Sequence, residues 1–372
     1  MDICEFSPAY VRAIAPYQPG KPISELAREY GLDERSIVKL ASNENPLGLS
    51  PLAKAAIERE LAELSRYPDG NAFDLKEALS RRYGVPTDGI VVGNGSNDVL
   101  EMAAAAFLAP GRSSVFSQHA FAVYPLATQA RGARSIVVPA KDFGQDLDAM
   151  AAAITPETRV VFMANPNNPT GTFVEGAELK AFLERVPGEV LVVLDEAYNE
   201  YLPPKMRYDS TAWLTRHPNL LITRTFSKVY SLAGLRVGFG LCDPKIADLL
   251  NRVRQPFNVN NLALAAAVAA LGDADFVSRS YEANSEGMRQ LESGFKAQNL
   301  EWIPSVGNFV SVQIPQSAGK PQAGSVFEKL LRQGVIVRPV AGYGMPDHLR
   351  VTIGLKEENE RLLAALQNAL GR

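Results

Sequence analysis

The sequence predicts an α/β protein: a large unit with a mostly parallel central sheet flanked by helices, beside a smaller α/β unit. Three observations carry that expectation. Continuous Val, Ile and Leu runs such as "TRVVFMA" and "VLVVLD" suit strands buried on both faces. Longer amphipathic stretches separate them, which is the rhythm of βαβ units. The chain has 372 residues and is 46% hydrophobic, ample for a large core and two units.

Each element follows from its own stretch. "GIVVGNGSNDVLEMAAAAFLAPG" reads as a strand, a glycine-rich turn and a helix. "SSVFSQHAFAVYPLATQARG" and "RSIVVPAKDFG" add strand signals. "TRVVFMANPNNPTG" is a strand running into a polar, proline-rich turn. "GEVLVVLDEAYNEYL" is an apolar run ending in acid, "PNLLITRTFSK" a strand ending in hydroxyls, and "RVGFGLC" a further strand. Beyond residue 260 the character changes. The Ala-rich run from Leu262 to Leu271 reads as a buried helix and leads into a charged, long-helix pattern. The strands "NFVSVQI", "GVIVRPV" and "HLRVTIG" and a final helix follow. The first 45 residues lack the strand-helix rhythm. The expected division is therefore 46–260 for the large unit, and 1–45 with 261–372 for the small one.

Composition excludes several functions. A net charge of −3 and an isoelectric point near 5.8 do not suit a nucleic-acid binder, which needs clustered Lys and Arg. Two cysteines, Cys4 and Cys242, give no disulfide framework, and with three histidines they make a poor metal site. Both are expected to pack as small apolar groups. The N-terminal stretch has no basic region leading into an apolar core, and no run reaches the roughly 20 apolar residues that span a bilayer. A cytoplasmic enzyme is the expectation.

The candidate chemistry gathers after strands. Asn168, Asp195 and Lys228 each follow one, and ligands of open α/β sheets lie beyond the carboxyl ends of the strands. Tyr198 lies three residues past Asp195 and faces the same way if a helical turn starts there. An acid beside a lysine is also what a plain buried ion pair would give. The hydroxyls of "TFSK" and the nearby Arg236 shift the balance toward an anion site. "GNGSND" opens a helix whose N–H groups bind anions readily. It departs from the dinucleotide fingerprint at Asp98, and no phosphate-binding GxxxxGK[ST] loop occurs. Phosphate, amine, carboxylate and phenol together describe a site for pyridoxal 5′-phosphate, with the lysine bonded to its aldehyde. Lys228 must then lose its proton near neutral pH, which burial and the cation Arg236 both favour.

The motifs "ASNENPLG", "SRYPDG", "NPNNPTG", "LDEAYNEY" and "TFSKVYSLAGLRVGF", in that order, resemble the fold-type I pyridoxal-phosphate-dependent aminotransferases, and most of all the histidinol-phosphate branch. The likeness runs from "VRAIAPYQPG" to "HLRVTIG". It implies that Lys228 forms the Schiff base, that Asp195 pairs with the ring nitrogen, and that Tyr198 and Asn168 address the ring hydroxyl. It implies that Thr225, Ser227 and Arg236, with the amides of Ser96 and Asn97, hold the phosphate. Phe121 stands where the family usually stacks a tyrosine on the ring. Tyr67 would reach the neighbouring subunit's phosphate, making a homodimer with shared sites. Arg350, Arg338 and Tyr17 would hold the substrates, by resemblance histidinol phosphate and 2-oxoglutarate. Transamination of aromatic amino acids, and decarboxylation of an amino-acid phosphate ester, remain alternatives on the same framework.

Overall fold

The computed structural model describes residues 2–372. A first short strand, β1 (Val38–Lys39), serves a late partner. A seven-stranded sheet then forms from β2 (Ile90–Gly93), β3 (Ser113–Ser117), β4 (Arg134–Val138), β5 (Thr158–Ala164), β6 (Leu191–Asp195), β7 (Leu220–Thr225) and β8 (Gly238–Cys242). Its order is β2-β8-β7-β6-β5-β3-β4. Only β8 runs against its neighbours, β2 and β7; the pairs from β7 across to β4 are parallel. The rest of the chain adds β9 (Trp302–Ile303), β10 (Phe309–Gln313), β11 (Val335–Ile336), β12 (Arg338–Pro339) and β13 (His348–Thr352). Strands β12-β13-β10-β9 form an antiparallel sheet, and β11 pairs in parallel with β1.

Six strands of the large sheet are buried along nearly their whole length, and only the edge strand β4 is largely exposed. On β6, Val192 and Leu194 enter one core while Leu191 and Val193 enter the other. A separate core joins Leu40 to residues of β10, β13 and the C-terminal helix.

Three sequence expectations change here. Residues 123–130 form a helix rather than a strand, with Tyr124, Ala127 and Thr128 facing inward at helical spacing. The helix Asn261–Leu271 packs with the large sheet. Its Ala263, Ala266, Ala267 and Ala270 join Ala53, Leu75 and Leu79 in one core, because a helix of alanines lets its neighbour approach closely. We therefore place the division between the units at the 82° bend between Asn261–Leu271 and Ala274–Ala297, not at residue 260. Cys242 is buried, but Cys4 is exposed rather than packed. Among the described residues no single helix is long and apolar enough to cross a membrane.

Candidate active site

The carboxyl ends of β5, β6 and β7 open on one cavity of about 170 Å³. It collects thirteen of the fourteen residues singled out from the sequence. Tyr67 alone lies elsewhere. It is 81% exposed and stacks on Phe257 with ring centroids 4.8 Å apart.

β6 delivers Asp195 and β7 delivers Thr225, after which the chain turns back on itself. The Leu232 amide bonds the Phe226 carbonyl and the Ser231 amide bonds the Lys228 carbonyl, which holds Lys228 in a tight loop at the cavity wall. The half-buried Lys228 donates from Nζ to the Ser42 carbonyl at 3.0 Å, and no carboxylate bonds to it. Its ammonium is pushed down to about 7, first by burial and next by the Arg350 cation, with Glu44 opposing. Arg236 contributes, as the sequence suggests, but less than Arg350.

Asp195 is 4% exposed. Its Oδ2 accepts from the Tyr124 hydroxyl at 2.9 Å and its Oδ1 from Thr223 at 3.1 Å. Burial pushes the carboxyl up to about 6, while these hydroxyls and the Ala197 amide pull the other way. Tyr198 caps a short 3₁₀ turn, Asn199–Tyr201, so the helical turn begins one residue later than expected. Its phenol is raised to about 12 by burial, and its oxygen accepts from Asn43 Nδ2 at 2.8 Å.

The anion end is a cradle of donors. Ser96 and Asn97 open the helix Ser96–Phe107 behind Gly95, whose φ is +84°. A Cβ on Gly95 would lie 2.5 Å from Arg236 Nη2, and one on Gly238 would lie 2.3 Å from the Ser96 nitrogen. Glycine is required at both points so that guanidinium and backbone can close in. Arg236 donates to Ser227 Oγ at 3.3 Å and to the Ala233 carbonyl at 3.0 Å. Thr225 Oγ1 accepts from the Ser227 amide at 3.1 Å.

Two further arginines line the cavity. Arg350 is 5% exposed and donates to Asn168 Oδ1 at 2.6 Å and to the Ala41 carbonyl at 2.8 Å. Its Nε has no partner. Arg338 lies over the Tyr17 ring, 5.4 Å from the centroid, and donates to the Gln18 carbonyl. Phe121 lines the same cavity. The sequence reading gave no role to Asn43, Tyr124, Thr223 or Tyr343. Asn43 stands inside the quoted "ASNENPLG", and Tyr124 follows Phe121 at helical spacing; those were the available signals.

A family model described as class I and II aminotransferases matches residues 35–366. The chain belongs to that family. Histidinol-phosphate aminotransferase 2 of Nitrosospira multiformis is 63% identical over 370 residues, covering 100% of this chain and 93% of that protein. Histidinol-phosphate aminotransferase 1 of Cupriavidus pinatubonensis is 62% identical over 98% of this chain and 96% of its own length. The crystal structure of histidinol-phosphate aminotransferase from Sinorhizobium meliloti, in complex with pyridoxal-5′-phosphate, superposes with a TM-score of 0.90. It is 27% identical and covers 100% of this chain and 98% of its own. A Thermus thermophilus aspartate aminotransferase at 23% identity and TM-score 0.83 shares the fold. The architecture is thus that of the fold-type I aminotransferases.

Proposed function

We propose that this chain is a pyridoxal 5′-phosphate-dependent transaminase. It moves the amino group of L-histidinol phosphate to 2-oxoglutarate, giving imidazole acetol phosphate and glutamate, in histidine biosynthesis. The observation that carries the reading is one cavity joining Lys228, Asp195, Arg236 and Arg350, in a chain whose relatives at about 60% identity bear that enzyme's name. Those names favour histidinol phosphate over an aromatic amino acid and over decarboxylation.

The residues fit the cofactor. The cradle of Ser96, Asn97, Thr225, Ser227 and Arg236 offers amides, hydroxyls and a guanidinium to a phosphate, and Gly95 leaves the room to reach it. Bound there, the cofactor supplies an aldehyde to take up the amino group and a ring to accept an electron pair. Lys228 is poised to bond that aldehyde because much of it is already neutral near pH 7. With the cofactor in place, the Lys228 amine would be the base that takes and returns a proton at the substrate's Cα. Asp195 holds negative charge against the ring nitrogen. Tyr198 and Asn168 address the ring hydroxyl, and Phe121 stacks on the ring. Arg350 and Arg338 hold the anionic ends of both substrates in turn, and Tyr17 covers them. Tyr67, exposed and outside the lining of its own cavity, reaches the phosphate of a second copy, which makes the working form a homodimer. We place the reaction in the cytoplasm.

The test is a half-reaction. L-Histidinol phosphate, L-phenylalanine and L-tyrosine are added separately to holoenzyme without keto acid, and the loss of visible cofactor absorption is followed. Far faster loss per unit concentration with histidinol phosphate supports the assignment. Preference for either aromatic amino acid moves the function to aromatic transamination.

A further inference from the structure

One buried contact behind the cavity wall, on the far side of Asp195, has no part in the chemistry above. Tyr124 is 1% exposed and sits in the helix Val123–Ala130. Its ring is fixed from two sides. It stacks almost parallel on Phe162 of β5, 4.9 Å and 6° apart, and meets Phe121 edge-on at 5.9 Å. Its hydroxyl donates to Asp195 Oδ2 at 2.9 Å, while Thr223 on β7 holds Oδ1. Its carbonyl accepts from Thr128 Oγ1, which shares a hydrogen bond with Ser114 Oγ and anchors the helix to β3. A phenylalanine would make the same ring contacts. The hydroxyl therefore serves the carboxylate, because burying a phenol oxygen brings no gain without a partner.

This inference rests on the cofactor reading above. We propose that Tyr124 is a positioning residue: it fixes the Asp195 carboxylate, keeps it charged for the cofactor's ring nitrogen, and ties it to Phe121 on the ring's face. One helix turn thus sets two contacts to the same ring, Phe121 directly and Asp195 through the Tyr124 hydroxyl.

The electrostatics give the direction of the effect. Asp195 sits near 6 because burial outweighs its donors. Tyr124 is the largest of those donors, Thr223 and the Ala197 amide follow, and Glu196 next in the chain opposes ionisation. Lys228 and Tyr198 also face Asp195, and its charge raises both of them. Tyr124 itself is held far above the usual phenol value by burial and by Asp195, so it remains a donor. Removing its hydroxyl raises the carboxyl further. A larger share of Asp195 is then protonated near neutral pH, and a neutral acid cannot hold a protonated ring nitrogen.

The experiment titrates pyridoxal 5′-phosphate into cofactor-free wild type, Tyr124→Phe and Thr223→Val between about pH 5 and pH 8. Both variants keep the shape of the side chain, and Thr223→Val reports on the carboxylate independently if Tyr124→Phe does not fold. The expected result for Tyr124→Phe is that the pH at which affinity falls off moves up by about one unit, so binding is about twofold weaker at pH 7 and about tenfold weaker at pH 5. Thr223→Val moves it in the same direction by less. Unchanged affinity and pH dependence in the variants overturns the proposal. So does weaker binding with an unmoved pH dependence, which is the mark of disturbed packing. Wild type that does not bind the cofactor at all overturns the reading beneath it instead.

Discussion

Replacing Lys228 with methionine should make the cofactor-free protein more stable while abolishing turnover. In the folded chain Lys228 is pushed down to about 7 from the ordinary 10.5, by burial and by Arg350 and Arg236. Between those two values the unfolded chain binds more protons than the folded one, so stability rises with pH across that window. Below pH 7 the full cost of holding the lysine in place is present; above 10.5 it is gone. At about 1.4 kcal/mol per tenfold, the cost is about 4 kcal/mol at pH 7 and under about 1 kcal/mol at pH 10. Two effects reduce the gain. Lys228 borders the cavity, so water there screens it, and methionine leaves the Ser42 carbonyl without its donor, about 1 kcal/mol. Methionine has a similar unbranched shape and repacks easily. A net gain of about 2 kcal/mol is expected near pH 7, fading by about pH 10. Urea unfolding of the cofactor-free proteins at both pH values measures it. A variant no more stable than wild type at pH 7, or a gain that does not shrink with pH, would refute the argument.

Four further outcomes are expected. Gly95→Ala forces a Cβ to 2.5 Å from Arg236 Nη2 at a φ of +84°; cofactor titration should show binding weakened at least about tenfold, by displacement of a charged donor. Arg350→Lys cannot reproduce a fork that reaches Asn168 Oδ1 and the Ala41 carbonyl together, so steady-state kcat/KM for both substrates should fall about tenfold or more. Asp195→Asn removes the charge paired with the ring nitrogen; single-turnover rates should drop by at least about a hundredfold, as for other lost electrostatic stabilisers. Tyr67→Ala and Lys228→Ala, each inactive alone, should recover partial activity when mixed and allowed to exchange subunits, because one site of the hybrid dimer keeps both residues.

Much of the sheet was legible because most of its strands carry an unbroken apolar run, and Asn168, Asp195 and Lys228 announced themselves as polar groups beyond such runs. Parallel order hides one exception. "RVGFGLC" reads like any buried strand, and only the tertiary structure shows β8 inserted antiparallel between β2 and β7. The helix at residues 123–130 was masked by β-branched and aromatic residues, which are weak helix formers until packing decides. The side on which helix Asn261–Leu271 packs was hidden for a related reason: an alanine helix carries no periodicity to say which core it joins. Supporting residues were the hardest to see. Asn43, Thr223 and Tyr124 lie 155, 28 and 71 positions from the groups they hold, and nothing local in the sequence links them.

The stretch Ala41–Asn45 shows how a site can stay reactive without falling apart. The Ala41 carbonyl accepts from Arg350, the Ser42 carbonyl from Lys228, and the Asn43 side chain donates to Tyr198. These partners are all neutral. A carbonyl or amide satisfies a buried cation well enough to avoid an orphaned donor, yet yields to a phosphate or carboxylate, whose hydrogen bonds are charge-assisted. One residue along, the opposite choice was made. Glu196 follows Asp195 on β6 and Arg224 precedes Thr225 on β7, and their side chains form a 2.8 Å ion pair, 0% and 8% exposed, braced by Ser210. Successive residues of a strand point to opposite faces, so the same two strand ends carry a closed ion pair on one side and an open carboxylate on the other. Had Arg224 faced Asp195 instead, the carboxylate would be neutralised by the protein and unavailable to a cofactor's ring nitrogen. Exchanging Asp and Glu in "LDEAY" would keep a carboxylate on each face but lengthen the open one by a methylene and shorten the one that reaches Arg224, so the order sets where each charge lies.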